Sequence, residues 1–458
     1  MRIRRWLEQA STFQFACYTT IAAFCVYFCM YAFRKPFAAA EYADMSLWGM
    51  NYKIILVISQ VAGYTLSKFI GIRVIAEMSR GRRVVTLISL IVASELGLVG
   101  LGLVPFPYNF LFMFLNGLPL GMVWGLVFCF LEGRQTTEAL AAGLSASFIV
   151  SSGVVKAVGK HTMDSWGVPE FWMPATTGLL FFFPLLFFVW MLSLVPPPNE
   201  SDIIERTVRV PMNRDHRRKV LRNMFWGISL LVLAHMLLTA ARDYRDQFAV
   251  EILDGVGAGD ATHLATSEIP VAFAVLIPLG GIMLIRNHRI SVIVLHACLA
   301  FGFVMTGLST LCFHHGMLDG FVWYILVGSG LYLAYVPFHS ILFERLVAMM
   351  KRPANAGYLI YIADATGYLA SVAVLLWKNF GARVSSPLEF FVMMAYVIAV
   401  VGCVSVLASL VFFIFKGRTK PETTAAAQRI DNSYQVAPPL VSDSKSPKAD
   451  RAPESVDG

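Results

Sequence analysis

Twelve stretches of about 20 mostly apolar residues follow one another along the chain, each closed by a short polar or proline-bearing break. They run roughly over 12–33, 52–72, 84–104, 109–131, 139–160, 172–195, 223–244, 268–286, 290–313, 320–343, 355–378 and 389–415. A helix of that length crosses a hydrocarbon core of about 30 Å. The breaks carry turn chemistry, as at Pro105-Phe106-Pro107, Pro196-Pro197-Pro198 and His314-His315-Gly316. The first stretch is too long for a cleavable signal peptide, and no small-residue cleavage pattern follows it. The break over 196–222 opens with three prolines and holds Arg214, Arg217, Arg218 and Lys219. The pattern therefore predicts an all-α polytopic membrane protein with twelve transmembrane helices in two pseudo-symmetric six-helix halves. The expected division is 1–195, a cytoplasmic linker over 196–222, 223–416, and a polar, disordered cytoplasmic tail over 417–458.

Composition narrows the function classes. Of 458 residues, 57% are hydrophobic and 14% charged, and mean hydropathy is +0.65. Soluble domains carry about 25% charged residues, so a soluble enzyme, a disordered chain and a disulfide scaffold are poor readings. The seven cysteines lie within or beside apolar stretches and suggest neither a disulfide framework nor a metal site. Net charge is +8, which in this setting reads as loops on an anionic leaflet rather than as nucleic-acid binding. Alternating loops divide the basic residues unequally: 27 of the 37 fall in the set that contains the N-terminus. That bias predicts cytoplasmic N- and C-termini in the cell (inner) membrane.

The two halves should resemble each other at an offset near 208–214 residues. Ala142-Gly143 with Gly153 matches Ala356-Gly357 with Gly367. Trp124 and Arg134 match Tyr335 and Arg345, and Tyr31-Ala32-Phe33-Arg34 matches Thr239-Ala240-Ala241-Arg242. Gly117, Gly121 and Gly125 recur every four residues, a device for close helix approach or a surface for rocking.

Ionisable residues inside spans are costly and are functional candidates by default. Arg34 and Lys35, in Tyr31-Ala32-Phe33-Arg34-Lys35-Pro36-Phe37, would snorkel to the interface, or line a cavity if the first helix continues through Ala38-Ala39-Ala40. Arg242, at the matching place in the second half, favours the cavity. Two guanidiniums facing each other offer planar donor forks and call for a dianion between them. Ser152 and Lys156, four residues apart, share a helix face, and the matched Trp124 and Tyr335 complete the candidate solute-binding set. Asp364 is expected to carry a coupling proton or to pair with Lys156 or an arginine. Glu95 is expected to be a coupling acid or a hydrogen-bonded or protonated structural one. His235 and His339 read as core histidines or relays, and Arg242, Asp243, Arg245 and Asp246 also as a self-paired cluster. No phosphate-cradling glycine loop, zinc-ligand spacing or nucleophile elbow is present. Neither an enzyme nor a cofactor is expected.

These residues resemble the major facilitator superfamily, and within it the organophosphate:phosphate antiporters. The motifs are Tyr-x-x-Arg-Lys at 31–35, Gly63-Tyr64-x-x-Ser67-Lys68-Phe69-Ile70, Arg242, and the Ala-Gly starts of the fifth and eleventh helices. The resemblance implies that Arg34 and Arg242 hold a substrate phosphate, with Lys35 adjacent. As a whole the chain looks most like an uncharacterised bacterial major-facilitator-like family. Two departures stand out. The Asp-Arg loop after the second helix is replaced by 71–83, where only Glu77 offers an acid. The cavity histidine of the fifth helix is absent, with Ser151 and Ser152 in its region. The expected function is secondary active transport by alternating access of a small anionic solute, phosphorylated solutes included. A proton or phosphate is the expected coupling ion and a monomer the expected state. A transporter-like sensor that binds such a solute without moving it is the alternative, and an enzyme or flippase using Glu95, Asp364 and His339 a further rival.

Overall fold

The computed structural model describes residues 2–43, 45–76, 78–132, 134, 136–198, 214–350, 356–381 and 386–416. Glu77, most of the expected linker (199–213) and the expected tail (417–458) lie outside the described residues. Residues up to Ile414 form one compact unit.

A short helix α1 (Arg2–Gln9) precedes α2 (Thr12–Tyr31). Ser11 starts α2 through a reciprocal capping box with Gln14, at 3.3 and 3.2 Å. A two-residue antiparallel pair, β1 (Ser46–Leu47) and β2 (Met50–Asn51), leads into α3 (Tyr52–Ala76) and α4 (Arg83–Leu103). Two pieces, α5 (Phe110–Leu120) and α6 (Val123–Leu131), cross together, with Pro119 at the break. Next come α7 (Thr137–Trp166) and α8 (Met173–Ser193). Gly167, at φ 67°, ends α7 in the left-handed conformation that glycine adopts without steric cost.

The second part holds α9 (Arg214–Gln247), α10 (Ala249–Gly255), α11 (Ala261–Thr266) and α12 (Glu268–Met283). It continues with α13 (His288–His314), α14 (Gly320–Ser340), α15 (Leu342–Met350), α16 (Ala356–Phe380) and α17 (Pro387–Lys416). Side-chain oxygens of Asn287 and Asp319 cap α13 and α14. Eleven segments among the described residues are long and apolar enough to cross a membrane. The 25-residue α16 occupies the place of the eleventh expected stretch, 355–378, and completes the set. The protein is an all-α polytopic membrane protein.

Glycine spacing in α5 serves close packing. A Cβ on Gly117 would lie 2.1 Å from the Gln60 carbonyl, and one on Gly63 would lie 2.2 Å from that of Phe114. The backbones of α3 and α5 therefore meet without intervening side chains. The matched arginines also behave alike: Arg134 donates to the Pro196 carbonyl, and Arg345 to that of Ile285 (3.0 Å).

One expectation is corrected. The first spanning helix does not continue through Ala40; it ends at Tyr31, turns, and resumes as a 3-10 turn over Pro36–Ala39. Pro36 lacks an amide donor and so cannot carry the helical hydrogen-bond ladder forward.

Candidate functional site

The end of α2, with α3, α6, α7, α9, α14 and α16, encloses a cavity of about 20 Å³, room for about one water. Tyr27, Tyr31 and Arg34 line it from the α2 segment, Tyr64 and Lys68 from α3, Trp124 from α6 and Phe148 from α7. Arg242, Tyr335, His339, Asp364 and Tyr368 close it from the other helices. Arg34 is 4% exposed and Arg242 7%, so Arg34 faces the cavity and does not snorkel. Each guanidinium lies over a tyrosine ring: Arg34 over Tyr64 at 3.9 Å, Arg242 over Tyr335 at 4.2 Å. Stacking covers the face of the cation and leaves its N–H edge for a ligand.

The two arginines differ in their partners. Arg242 pairs with Asp243 at 2.5 Å, and the other Asp243 oxygen accepts from Ser371 at 2.9 Å. No carboxylate among the described residues pairs with Arg34, and its Nε is buried without a hydrogen-bond partner. The self-paired reading of the 242–246 cluster holds for Arg242 and Asp243 alone. Asp246 and Arg245 find partners on other helices.

Asp246 gathers Lys35, Lys156 and Ser152. Lys156 reaches its carboxylate at 2.8 Å and its carbonyl at 2.7 Å, while Lys35 and the Ser152 hydroxyl also bind the carboxylate. Beside this centre, Arg245 pairs with Glu268 at 2.9 Å over the Tyr324 ring, and Lys53 pairs with Glu251 at 2.5 Å. Lys35, Lys156 and Ser152 were expected on the solute. The structure brings them together on Asp246, because a buried ammonium is stable only beside a counter-charge.

Asp364 pairs with Lys68 at 3.1 Å and His339 at 2.7 Å, with His235 at 3.9 Å. The expected partners were Lys156 or an arginine. Both Lys156 and Arg242 have nearer acids, so Asp364 takes Lys68. The two histidines are thus neither isolated nor simply apolar packing. Donor atoms of His235, His339 and Asp364 lie within 4.8 Å of one another, a spacing open to a metal ion. His339 faces Phe148 edge-on, ring centres 6.4 Å apart, so an imidazole meets α7 from α14.

Glu95 stands apart, buried in α4 with neither oxygen hydrogen-bonded, which overturns its hydrogen-bonded reading. The sequence reading missed Tyr27, Tyr31, Tyr64 and Tyr368 as cavity residues. Their signal was a polar aromatic one helical turn from another polar group: Tyr27 and Tyr31, Tyr64 and Lys68, Tyr335 and His339, Asp364 and Tyr368.

Counted together, the buried centre holds Arg34, Lys35, Lys68, Lys156 and Arg242 against Asp243, Asp246 and Asp364. Leaving the histidines aside, these groups carry two more positive charges than negative ones, one at Arg34 and one where two ammoniums share the Asp246 carboxylate.

The profile of a family of unknown function, DUF5690, matches residues 36–416. No curated protein matches the chain significantly. Among solved structures, a D-xylose–proton symporter aligns at TM-score 0.60 and 14% identity, over 91% of this chain and 99% of its own. The inward-open xylose transporter XylE from E. coli aligns at 0.56 and 13%, over 90% and 98%. A bacterial homologue of the human lysosomal transporter Spinster, inward-facing and unoccupied, aligns at 0.56 and 10%, over 89% and 98%. At these identities the likeness establishes the fold, that of the major facilitator superfamily.

Proposed function

We propose a function for a chain that belongs to the DUF5690 family and has the major facilitator fold: secondary transport, by alternating access, of a small anionic solute. Phosphorylated solutes are the leading class, with the anion held between Arg34 and Arg242. The observation that carries this reading is Arg34, a buried guanidinium at the cavity that no carboxylate pairs with among the described residues, facing the same cavity as Arg242. Two unit charges about 8 Å apart repel by about 2 kcal/mol at an effective dielectric near 20. A dianion between them reverses the sign, and stacked guanidiniums present the fork that phosphate or carboxylate accepts.

A cavity of about 20 Å³ does not admit such a solute, so binding requires the helices to part. In the proposed orientation both termini are cytoplasmic and the membrane is the inner one. Asp246 with Lys35 and Lys156, and Lys53 with Glu251, then tie 1–195 to 223–416 toward the outer side. Glu138 and Arg345 pair at 2.8 Å toward the inner side, in a more exposed setting. Access alternates by breaking one set while the other holds.

Uptake and counterflow in proteoliposomes, with a panel of phosphorylated and carboxylated solutes, test the reading. Wild-type protein should exchange at least one of them, and Arg34→Ala and Arg242→Ala should each abolish that exchange. Wild-type affinity for the transported solute in both single variants would overturn it.

A further inference from the structure

Among the described residues, Glu95 is the buried carboxyl whose two oxygens both lack a hydrogen-bond partner. It is the thirteenth residue of the 21-residue α4, about 18 Å along the axis from Arg83. The 3-10 turn over Arg80–Arg82 packs on α4 only beyond its Arg83 end, and the helices packed on α4 offer Glu95 no charged partner. Neither α5 nor α8 contains an ionisable residue, and α6 has Cys129 alone. Arg83 donates to the Cys129 carbonyl at 2.8 Å. At the end of α2, the Arg34 guanidinium lies over Tyr64 and the Lys35 ammonium binds Asp246. A buried carboxylate without a cation or a donor pays a large cost of desolvation, whereas a neutral carboxylic acid pays far less.

We propose that Glu95 is the proton-binding residue of the transport cycle, a neutral acid in this closed arrangement that ionises when the seam between α4 and α8 opens to water. Asp364 is poorly suited to that task, since Lys68 and His339 already neutralise and hold its carboxylate.

The neighbours of Glu95 connect it to the cavity. A Cβ on Gly178 would lie 2.3 Å from Glu95 Oε2 and 3.1 Å from the Phe33 ring, so carboxyl, glycine and ring meet at one place. Asn116 Nδ2 donates to the Phe33 carbonyl at 2.9 Å, and to the Ser94 carbonyl and hydroxyl at 3.0 and 2.7 Å. Gln60 Nε2 donates to the Arg34 carbonyl at 2.9 Å and to Asn116 Oδ1 at 2.7 Å. Two amides thus clamp Ser94-Glu95 to Phe33-Arg34. Hydrating Glu95 displaces Phe33 and, through the clamp, Arg34. Proton and anion occupancy then influence each other equally. This coupling rests on the anion reading; the protonation itself does not.

The test uses the full chain in lipid. Infrared difference spectra at neutral pH should show a protonated-carboxyl band that is absent in Glu95→Gln and retained, at a shifted position, in Glu95→Asp. Dicyclohexylcarbodiimide, an apolar reagent for neutral carboxyls, should modify Glu95 and leave Asp246 and Asp364 unmodified. In proteoliposomes with inorganic phosphate as probe, Glu95→Gln should lose accumulation driven by a pH gradient at least tenfold while keeping counterflow. A band unchanged in Glu95→Gln, or carbodiimide labelling of Asp364 in place of Glu95, overturns the proposal. If wild-type protein binds no anion, the solute reading fails while the infrared result still decides the proton site.

Discussion

Two charged centres lie a few residues apart in this protein and are built from the same residue types to opposite ends. Around Asp246, one carboxylate receives two ammonium groups and a hydroxyl, and neighbouring Arg245 and Lys53 each have their own acid. Around the cavity, Arg242 pairs with Asp243 and Lys68 with Asp364, whereas Arg34 lies over the Tyr64 ring and no carboxylate pairs with it among the described residues. The first centre gives each ammonium a carboxylate partner and joins helices, although two ammoniums on Asp246 leave one positive charge in surplus. The second leaves the Arg34 guanidinium without a carboxylate partner among the described residues, and on the proposed reading an anion supplies the missing charge. A buried charge therefore says little about function until its partners are counted.

The largest effect is expected where the satisfied centre is broken. Asp246→Asn leaves the Lys35 and Lys156 ammoniums buried without a counter-charge, a loss of about 3–5 kcal/mol. Thermal unfolding in detergent should show a large drop or failure to fold. Adding Lys35→Met should recover part of it, because one orphaned ammonium disappears. An unaltered melting temperature in Asp246→Asn would remove the distinction between the two centres.

Next comes the unsatisfied centre, where the signs reverse. Arg34→Ala should weaken binding of the transported anion at least 100-fold, about 3 kcal/mol. The empty protein should be as stable as wild type or more so, since a repulsion is relieved. Arg34→Lys keeps the charge but loses the fork and the stacking plane, and should recover little. Isothermal titration and thermal unfolding on the same samples check both halves of this statement.

Most of the fold was legible because lipid imposes a length and a composition on every span. The expected stretches at 52–72, 109–131 and 290–313 fall within a few residues of α3, α5 with α6, and α13. Arg34 and Arg242 were legible because they repeat at a constant offset. What was not legible was pairing at long range. Asp246 meets Lys35 and Lys156 across 211 and 90 residues, and Lys68 meets Asp364 across 296. Helical periodicity reports which residues share a face, not which helix that face meets. The sequence thus placed Lys156 on the solute and gave Lys68 no such role, whereas packing of α3 on α16 puts Lys68 at the cavity beside Asp364, and Lys156 reaches from α7 to Asp246.

Asp364 is intermediate between the two centres: it lines the cavity, yet it is held by Lys68 and His339. Asp364→Asn should cost about 1–3 kcal/mol through the hydrogen bonds weakened at Lys68 and His339. The shape of the pH dependence of transport should survive, because the proton is assigned to Glu95. A flattened pH profile in Asp364→Asn, with a normal profile in Glu95→Gln, would exchange the roles of the two acids.

The smallest effect, and the sharpest separation of the centres, is expected at Ser152. The sequence places it on the solute, four residues before Lys156. In the structure its hydroxyl donates to Asp246, and it is absent from the residues lining the cavity. Ser152→Ala removes one donor from a carboxylate that keeps two ammonium partners. The expected loss is about 1 kcal/mol of stability, with anion affinity unchanged within error. Had Ser152 contacted the solute, the pattern would invert, with stability kept and affinity reduced several-fold. Thermal unfolding and anion titration of this one variant therefore report whether the Asp246 centre joins helices or binds cargo.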